Sequence, residues 1–99
     1  MRTLTFRGEA LRLSLARYRN GNLAVEAIAA DGEPYATLSV NMPPYDPLPE
    51  GVFFLKDWSE NAEIAAAFIE SGLIEVVREV DARTSGFIAA EAYRFVEEA

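Results

Sequence analysis

The side chains of this chain that could carry chemistry are mainly carboxylates, because the sequence contains neither histidine nor cysteine. Their absence removes the commonest general base, the thiolate nucleophile and two of the commonest metal ligands. Asp57, Glu60 and Glu63 are close in sequence, and the last two are spaced to be neighbours on a helix. Two such carboxylates could hold a hard cation such as Mg²⁺. A Mg²⁺-dependent enzyme that uses Asp57, Glu60 or Glu63 is therefore one alternative for the function.

A structural interpretation explains the same segment without catalysis. Ser59 is predicted to be the N-cap of a helix, with Glu60 and Glu63 in the first turn, where the helix dipole stabilises carboxylates. No base lies at a helical spacing from Ser59, so its hydroxyl is not expected to be a nucleophile. Lys56, the single lysine, is expected to pair with the neighbouring Asp57. We therefore expect no catalytic residue, no metal and no cofactor, and we predict that the protein is not an enzyme.

The net charge of −7 comes entirely from the second half of the chain. Residues 1–49 contain five arginines and five acidic residues, whereas residues 50–99 contain four basic and eleven acidic residues. An acidic surface repels nucleic acid and membrane phosphates and attracts cationic partners. A second interpretation is that the charge only keeps the protein soluble. If the charge marks a binding surface, the candidate partner-binding residues are Asp57, Trp58, Glu60, Glu63, Glu70, Glu75, Glu79 and Asp81.

Trp58 lies at the predicted junction between a strand and the helix. A large aromatic ring at such a place either seals the edge of a core or projects as an anchor for a partner. Sealing is the expected role, and we keep Trp58 as a binding candidate beside the carboxylates.

The first half of the chain is predicted to form an antiparallel meander. Leu11, Leu13 and Leu15 alternate with other residues, as expected for a strand with one buried face. Asn20-Gly21 and Asp31-Gly32 predict the two turns that separate this strand from strands at 23–28 and 35–40. Residues 42–49 contain four prolines and predict a stiff, extended loop. Its Pro-x-x-Pro spacing could suit an SH3-type partner, but a crossover between strands is the expected role.

The second half is predicted to contain one main helix among short strands. Val52 to Leu55 suits a buried strand, and a helix over 60–71 should end at Gly72. The core side of that helix is predicted to contain Ile64, Ala65, Phe68 and Ile69. A strand over 74–80, a turn at 84–86 and a strand that resumes at 87–88 should follow. The tail that follows stays open between two structures: its alanines favour a helix, whereas the alternation of Tyr93 and Phe95 with Arg94 favours a strand that ends near Val96, which is the preferred prediction.

These elements predict a single α+β domain over residues 1–99. An antiparallel β-sheet of five to seven strands, beginning with the N-terminal meander, should pack against the one main α-helix. No segment approaches the roughly 20 apolar residues that a membrane helix needs, so we expect a soluble, cytoplasmic protein without membrane contact. Self-association through an exposed edge strand, for example as a homodimer, stays open.

Three segments carry a resemblance to a known family. They are residues 32–41 (Gly-Glu-Pro-Tyr-Ala-Thr-Leu-Ser-Val-Asn), 54–61 (Phe-Leu-Lys-Asp-Trp-Ser-Glu-Asn) and 85–88 (Ser-Gly-Phe-Ile). They resemble an uncharacterised family of small proteins, of about 100 residues, carried on bacterial mobile elements and phages. That family has no established catalytic residues to transfer. The resemblance implies only context, since accessory genes of mobile elements often encode inhibitors of host defence, including anti-CRISPR and antirestriction proteins.

The sequence thus leads to the hypothesis of a non-enzymatic, anti-CRISPR-like inhibitor. Its acidic C-terminal half would occupy a basic, nucleic-acid-binding surface of a host defence protein, imitating DNA only crudely. Direct nucleic-acid binding is not expected, because the arginines of the first half are matched by acids. The alternative from another class is a small homo-oligomeric structural or regulatory protein without a defence target.

Overall fold

The computed structural model describes residues 2–96, which form ten β-strands and one α-helix. The protein is an α+β domain as predicted, but its strands form three antiparallel sheets of four, four and two strands rather than one sheet of five to seven. The helix α1 is Ala62–Glu70, preceded by a 3₁₀ turn at Ser59–Asn61. The strands are β1 Thr3–Phe6, β2 Glu9–Arg17, β3 Leu23–Ile28, β4 Pro34–Thr37, β5 Ser39–Val40, β6 Val52–Leu55, β7 Ile74–Val76, β8 Arg83–Ser85, β9 Ile88–Ala90 and β10 Ala92–Phe95.

The first sheet is the predicted meander with one more strand, in the order β1-β2-β3-β4. Gly21, at φ +90°, lies in the turn between β2 and β3, a conformation that glycine adopts without steric cost. Leu11 and Leu13 are buried as predicted. Leu15 is 45% exposed, contrary to the prediction, because it lines an open cavity beside Leu23 and Phe95.

A continuous extended segment, residues 34–40, passes from the first sheet to the second. The sequence predicts one strand over 35–40, but the chain divides at Leu38 into β4, which pairs with β3, and β5, which pairs with β6. The Leu38 N–H donates to the Val25 carbonyl at 2.9 Å, and its carbonyl accepts the Lys56 N–H at 2.9 Å. Leu38 is also completely buried, so this one residue joins the two sheets through both its backbone and its side chain.

The second sheet has the order β5-β6-β10-β7, and the proline-rich loop connects β5 to β6 as the expected crossover. All four residues of β6 are buried, as predicted. Phe53 and Leu55 pack in the main core with residues of the first sheet and α1, whereas Val52 and Phe54 pack in a second, smaller core. The strand therefore lies between two cores, which explains its unbroken apolar run.

The helix ends where the sequence predicts but begins differently. Gly72, at φ +78°, follows the C-cap and ends α1. Ser59 is not the N-cap: it starts the 3₁₀ turn at φ +55°, and no side chain caps the N-terminus of either helical segment. The predicted core residues Ile64 and Phe68 are buried, whereas Ile69 is 41% exposed because it lies at the edge of the buried face.

The last third of the chain forms shorter strands than predicted. β7 ends at Val76 rather than near residue 80, because the chain turns there and the Val80 N–H approaches the Val77 carbonyl at 3.4 Å. Thr84 and Ser85 belong to β8, so the turn lies at Gly86-Phe87 instead of 84–86. The final segment is a strand, β10, as expected. Within residues 2–96, no helix is long and apolar enough to cross a membrane.

Candidate protein-binding surface

Three chain segments meet at one end of the second sheet. The Leu55 N–H, at the end of β6, donates to the Glu91 carbonyl at 3.1 Å. The Val77 N–H, just after β7, donates to the Ala92 carbonyl at 2.8 Å. The segments that follow β6 and β7 therefore both lie beside the start of β10. We call the exposed carboxylates that these segments carry the acidic end, which consists of Asp57, Glu79, Asp81 and Glu91.

A small cavity lies within the acidic end. Its volume is about 190 Å³, and its apolar walls are formed mainly by the half-buried side chains of Val76 and Val80, which lie beside charged residues. The charged residues are Asp81, Glu91 and Arg78. Apolar walls next to carboxylates can accept the aliphatic stem of a lysine or arginine while its charged head meets an anion.

Tyr93 reports the electrostatic character of this region. Burial of the phenol raises the pKa of Tyr93 above its usual value, and the negative charges of Glu91 and Asp57 raise it further. Arg78 acts in the opposite direction on the same pKa, and its effect is the smallest of the four. The carboxylates of two separate segments therefore act on one phenol, and their combined field outweighs that of the nearby guanidinium.

Several of the carboxylates predicted to bind a partner already have cationic neighbours. Glu63 pairs with Arg7 of the β1–β2 turn, and Glu75 accepts from the Arg94 Nε at 2.9 Å across the β7–β10 pair. Lys56 lies 3.7 Å from Glu60.

The expected pair between Lys56 and Asp57 is therefore wrong, because the 3₁₀ turn brings the side chain four residues later within reach of the ammonium group. Glu70, another of the predicted partner-binding residues, has a different location. It is exposed in the last turn of α1, before β7 begins, and the length of β7 separates it from Glu79. The structure accordingly places the segments that carry Asp57, Glu79 and Asp81 at one end of the second sheet, and it places Glu70 elsewhere.

Trp58 is half-buried and packs against the second core, beside residues such as Val52 and Phe54. This position matches the sealing role that the sequence favoured.

Comparisons with protein families, with curated proteins and with solved structures found no match to this chain.

The proposed Mg²⁺ ligands do not form a cluster. Within residues 2–96, no group of three or more acidic side chains is arranged to hold a metal ion. Glu60 and Glu63 instead lie beside Lys56 and Arg7, so cationic side chains already compensate their charge.

Sequence reasoning missed Glu91, Tyr93 and Phe87. Glu91 joins the acidic end only through the pairing of β10 with β6 and β7, which no local pattern shows. The sequence pattern predicts that Phe87 begins a strand, but the residue occupies the tip of the β8–β9 hairpin. One available signal was Gly86, because a two-residue hairpin turn with glycine at its first position is a common type.

Proposed function

We propose that this protein is a non-enzymatic binding protein whose acidic end occupies a basic, nucleic-acid-binding surface of another protein. The observation that carries the proposal is the convergence of Asp57, Glu79, Asp81 and Glu91 on one end of the second sheet. None of the four has an ion-pair partner within residues 2–96.

Electrostatics gives this arrangement a preference for cations. Neighbouring carboxylates repel one another, and a cationic partner relieves that repulsion while gaining attraction of its own. Arg78 is the one basic residue that lines the cavity, where it is outnumbered by the two carboxylates of Asp81 and Glu91. Attraction of this kind speeds association and weakens as salt rises.

The cavity adds a short-range element to this long-range attraction. An arginine or lysine of the partner can place its methylene groups against Val76 and Val80 and its charged head between Asp81 and Glu91. Grooves that bind nucleic acid are lined by such side chains, which makes them suitable targets for an acidic protein.

The resemblance of residues 32–41, 54–61 and 85–88 supports the second part of the proposal, the biological context. We propose that the chain comes from a bacterial mobile element or phage and that its partner is a host defence protein, as for an anti-CRISPR protein. This part of the proposal rests on those three segments alone.

Capture of partners from a lysate of the cells that carry the gene tests the proposal. The immobilised protein is compared with an acidic-end variant (D57N, E79Q, D81N and E91Q), and bound proteins are eluted with a salt gradient and identified by mass spectrometry. We expect a nucleic-acid-binding protein to elute early in the gradient and to be absent from the variant.

Two further variants distinguish the effect of where the carboxylates lie from the effect of the net charge. The amide variant of Glu9, Glu26, Glu33 and Asp46 changes the net charge equally but lies in the first half of the chain, and it should capture the same partner. The amide variant of Glu60, Glu63 and Glu70 tests the helix face and should also retain the partner. Capture of nothing, or of a partner that the acidic-end variant still holds, would overturn the proposal.

A further inference from the structure

The β8–β9 hairpin projects from the acidic end. It spans Arg83 to Ala90, between the segment that carries Asp81 and the residue Glu91, and its two strands pair only with each other. Residues 84–89 are all exposed. A hairpin with no sheet on either side extends away from the domain instead of completing its surface.

Phe87 occupies the tip of this hairpin and is fully exposed. Ser85 pairs with Ile88, which leaves Gly86, at φ +62°, and Phe87 as the two residues of the turn. The relative exposure of Phe87 is 108%, about twice the 53% of Tyr45, the next most exposed of the large apolar residues within residues 2–96. Such exposure gains nothing for folding, whereas burial of the ring in a partner would remove a large apolar surface from water.

The base of the hairpin is held firmly while its tip is free. The Arg83 side chain turns inward, donates to the Met42 carbonyl at 3.2 Å, and places its guanidinium 5.1 Å from the centre of the Phe54 ring. Ala90, at the end of β9, is buried in the second core. The contacts at the base fix the direction of the hairpin, so that Phe87 is presented with less loss of entropy on binding.

Because the Arg83 side chain turns inward, its positive charge is directed away from the tip that carries Phe87. Its positive charge lies over an aromatic ring of the second core and is only partly exposed. The carboxylates of Glu79, Asp81 and Glu91 flank the hairpin on either side in sequence and are exposed. The hairpin thus has an apolar residue at its tip and exposed carboxylates in the segments next to its base.

We infer that Phe87 is the anchor with which this protein docks on its partner, and that the ring enters an apolar pocket bordered by lysine or arginine side chains. This inference rests on the proposed function, since it names the contact made by the same acidic end. Anchors of this kind are typically aromatic and surrounded by contacts that exclude water. The charge of the hairpin base selects a basic protein over a second copy of this chain, because two acidic ends would repel each other.

The test uses the partner identified by capture on the wild-type protein, purified and titrated by calorimetry. F87A should weaken the affinity about 30-fold or more, as expected for a central anchor residue. F87L should recover part of the loss. Leu15→Ala, which truncates an exposed apolar residue of β2, should change the affinity by less than about 2-fold. Because Phe87 makes no core contact, F87A should leave the midpoint of thermal unfolding unchanged.

The outcomes separate this inference from the proposed function. If the acidic-end variant loses the partner but F87A binds normally, the anchor is wrong and the acidic surface stands. If F87A loses the partner but the acidic-end variant does not, the basic partner proposed here is wrong. A photo-crosslinking phenylalanine analogue at position 87 should react with apolar residues of the partner next to lysine or arginine. Crosslinks only to a second copy of this chain would overturn the inference.

Discussion

At the scale of single residues, Tyr93 is a direct reporter of the acidic end. Tyr93 lies on β10, and the negative charges of Glu91 and Asp57, which belong to two different segments, both raise the pKa of its phenol. Burial and these charges favour the neutral phenol in the folded state, so the pKa is raised relative to an unfolded tyrosine.

Removal of either charge should therefore lower the pKa of Tyr93. We expect E91Q and D57N each to lower it, and Glu70→Gln to leave it unchanged because Glu70 lies in the last turn of α1. The phenolate absorbance of each protein, with its Tyr93→Phe counterpart subtracted, measures this. If neither E91Q nor D57N lowers the pKa of Tyr93, the two carboxylates do not lie near its phenol.

The raised pKa of Tyr93 also predicts the direction in which the free energy of unfolding changes with pH. A folded pKa that is higher than the unfolded one favours the folded state at low pH, and this contribution falls as pH rises from the unfolded value of about 10 through the folded value. The free energy of unfolding should consequently decrease over that window in the wild-type protein, and less so in Tyr93→Phe.

At the scale of elements, the start of the helical region departs from its sequence pattern. Ser59, followed by acidic residues, has the composition of an N-cap, but its φ is +55° and its side chain caps neither helical segment. Asn61 precedes α1 instead, and its side chain turns into the protein to donate to the Thr37 carbonyl at 2.5 Å. The buried amide fixes the helix against β4, so a tertiary contact overrides the local capping preference.

Ser59→Gly should therefore stabilise the protein. The left-handed conformation costs a residue with a Cβ about 1–2 kcal/mol, and the extra entropy that glycine loses on folding offsets roughly 0.5–1 kcal/mol of the relief. We expect the free energy of unfolding in urea to rise by about 0.5–1 kcal/mol.

The same substitution at Ser71 is the matched control. Ser71 is at φ −64° and its hydroxyl donates to the Phe68 carbonyl at 2.5 Å, so Ser71→Gly should destabilise the protein. A loss of stability in Ser59→Gly comparable to that in Ser71→Gly would show that Ser59 acts as a cap.

At the scale of the whole molecule, the sequence predicted the features that depend on neighbouring residues. The strand Leu23–Ile28, the buried strand Val52–Leu55 and the stop at Gly72 follow from turn residues, apolar runs and a glycine. The chain is α+β for the same reason, since strand and helix patterns are both local.

The features that escaped prediction depend on distant residues. The division into two four-stranded sheets arises at Leu38, where backbone partners come from Val25 and Lys56. Arg7 forms an ion pair with Glu63, which lies 56 positions later in the sequence. No pattern in the sequence indicates which carboxylates will meet a cation in the fold and which, like those of the acidic end, will not.

Asn22 illustrates the same limit for polar residues. It is buried, its Oδ1 accepts the Leu48 N–H at 2.7 Å, and its Nδ2 donates to the Asn41 Oδ1 at 3.2 Å. These bonds hold the proline-rich loop against the β2–β3 turn. In the sequence, the residue appeared only as the neighbour of a hairpin signal.

The most direct test of the central claim is competition between this protein and nucleic acid for the captured partner. A fluorescent oligonucleotide bound to the purified partner is titrated with the wild-type protein, with the acidic-end variant and with the charge-matched variant of the first half. If the acidic end occupies the nucleic-acid-binding surface, the wild-type protein and the charge-matched variant displace the oligonucleotide and the acidic-end variant does not. A ternary complex in which partner, oligonucleotide and wild-type protein are bound together would contradict the account.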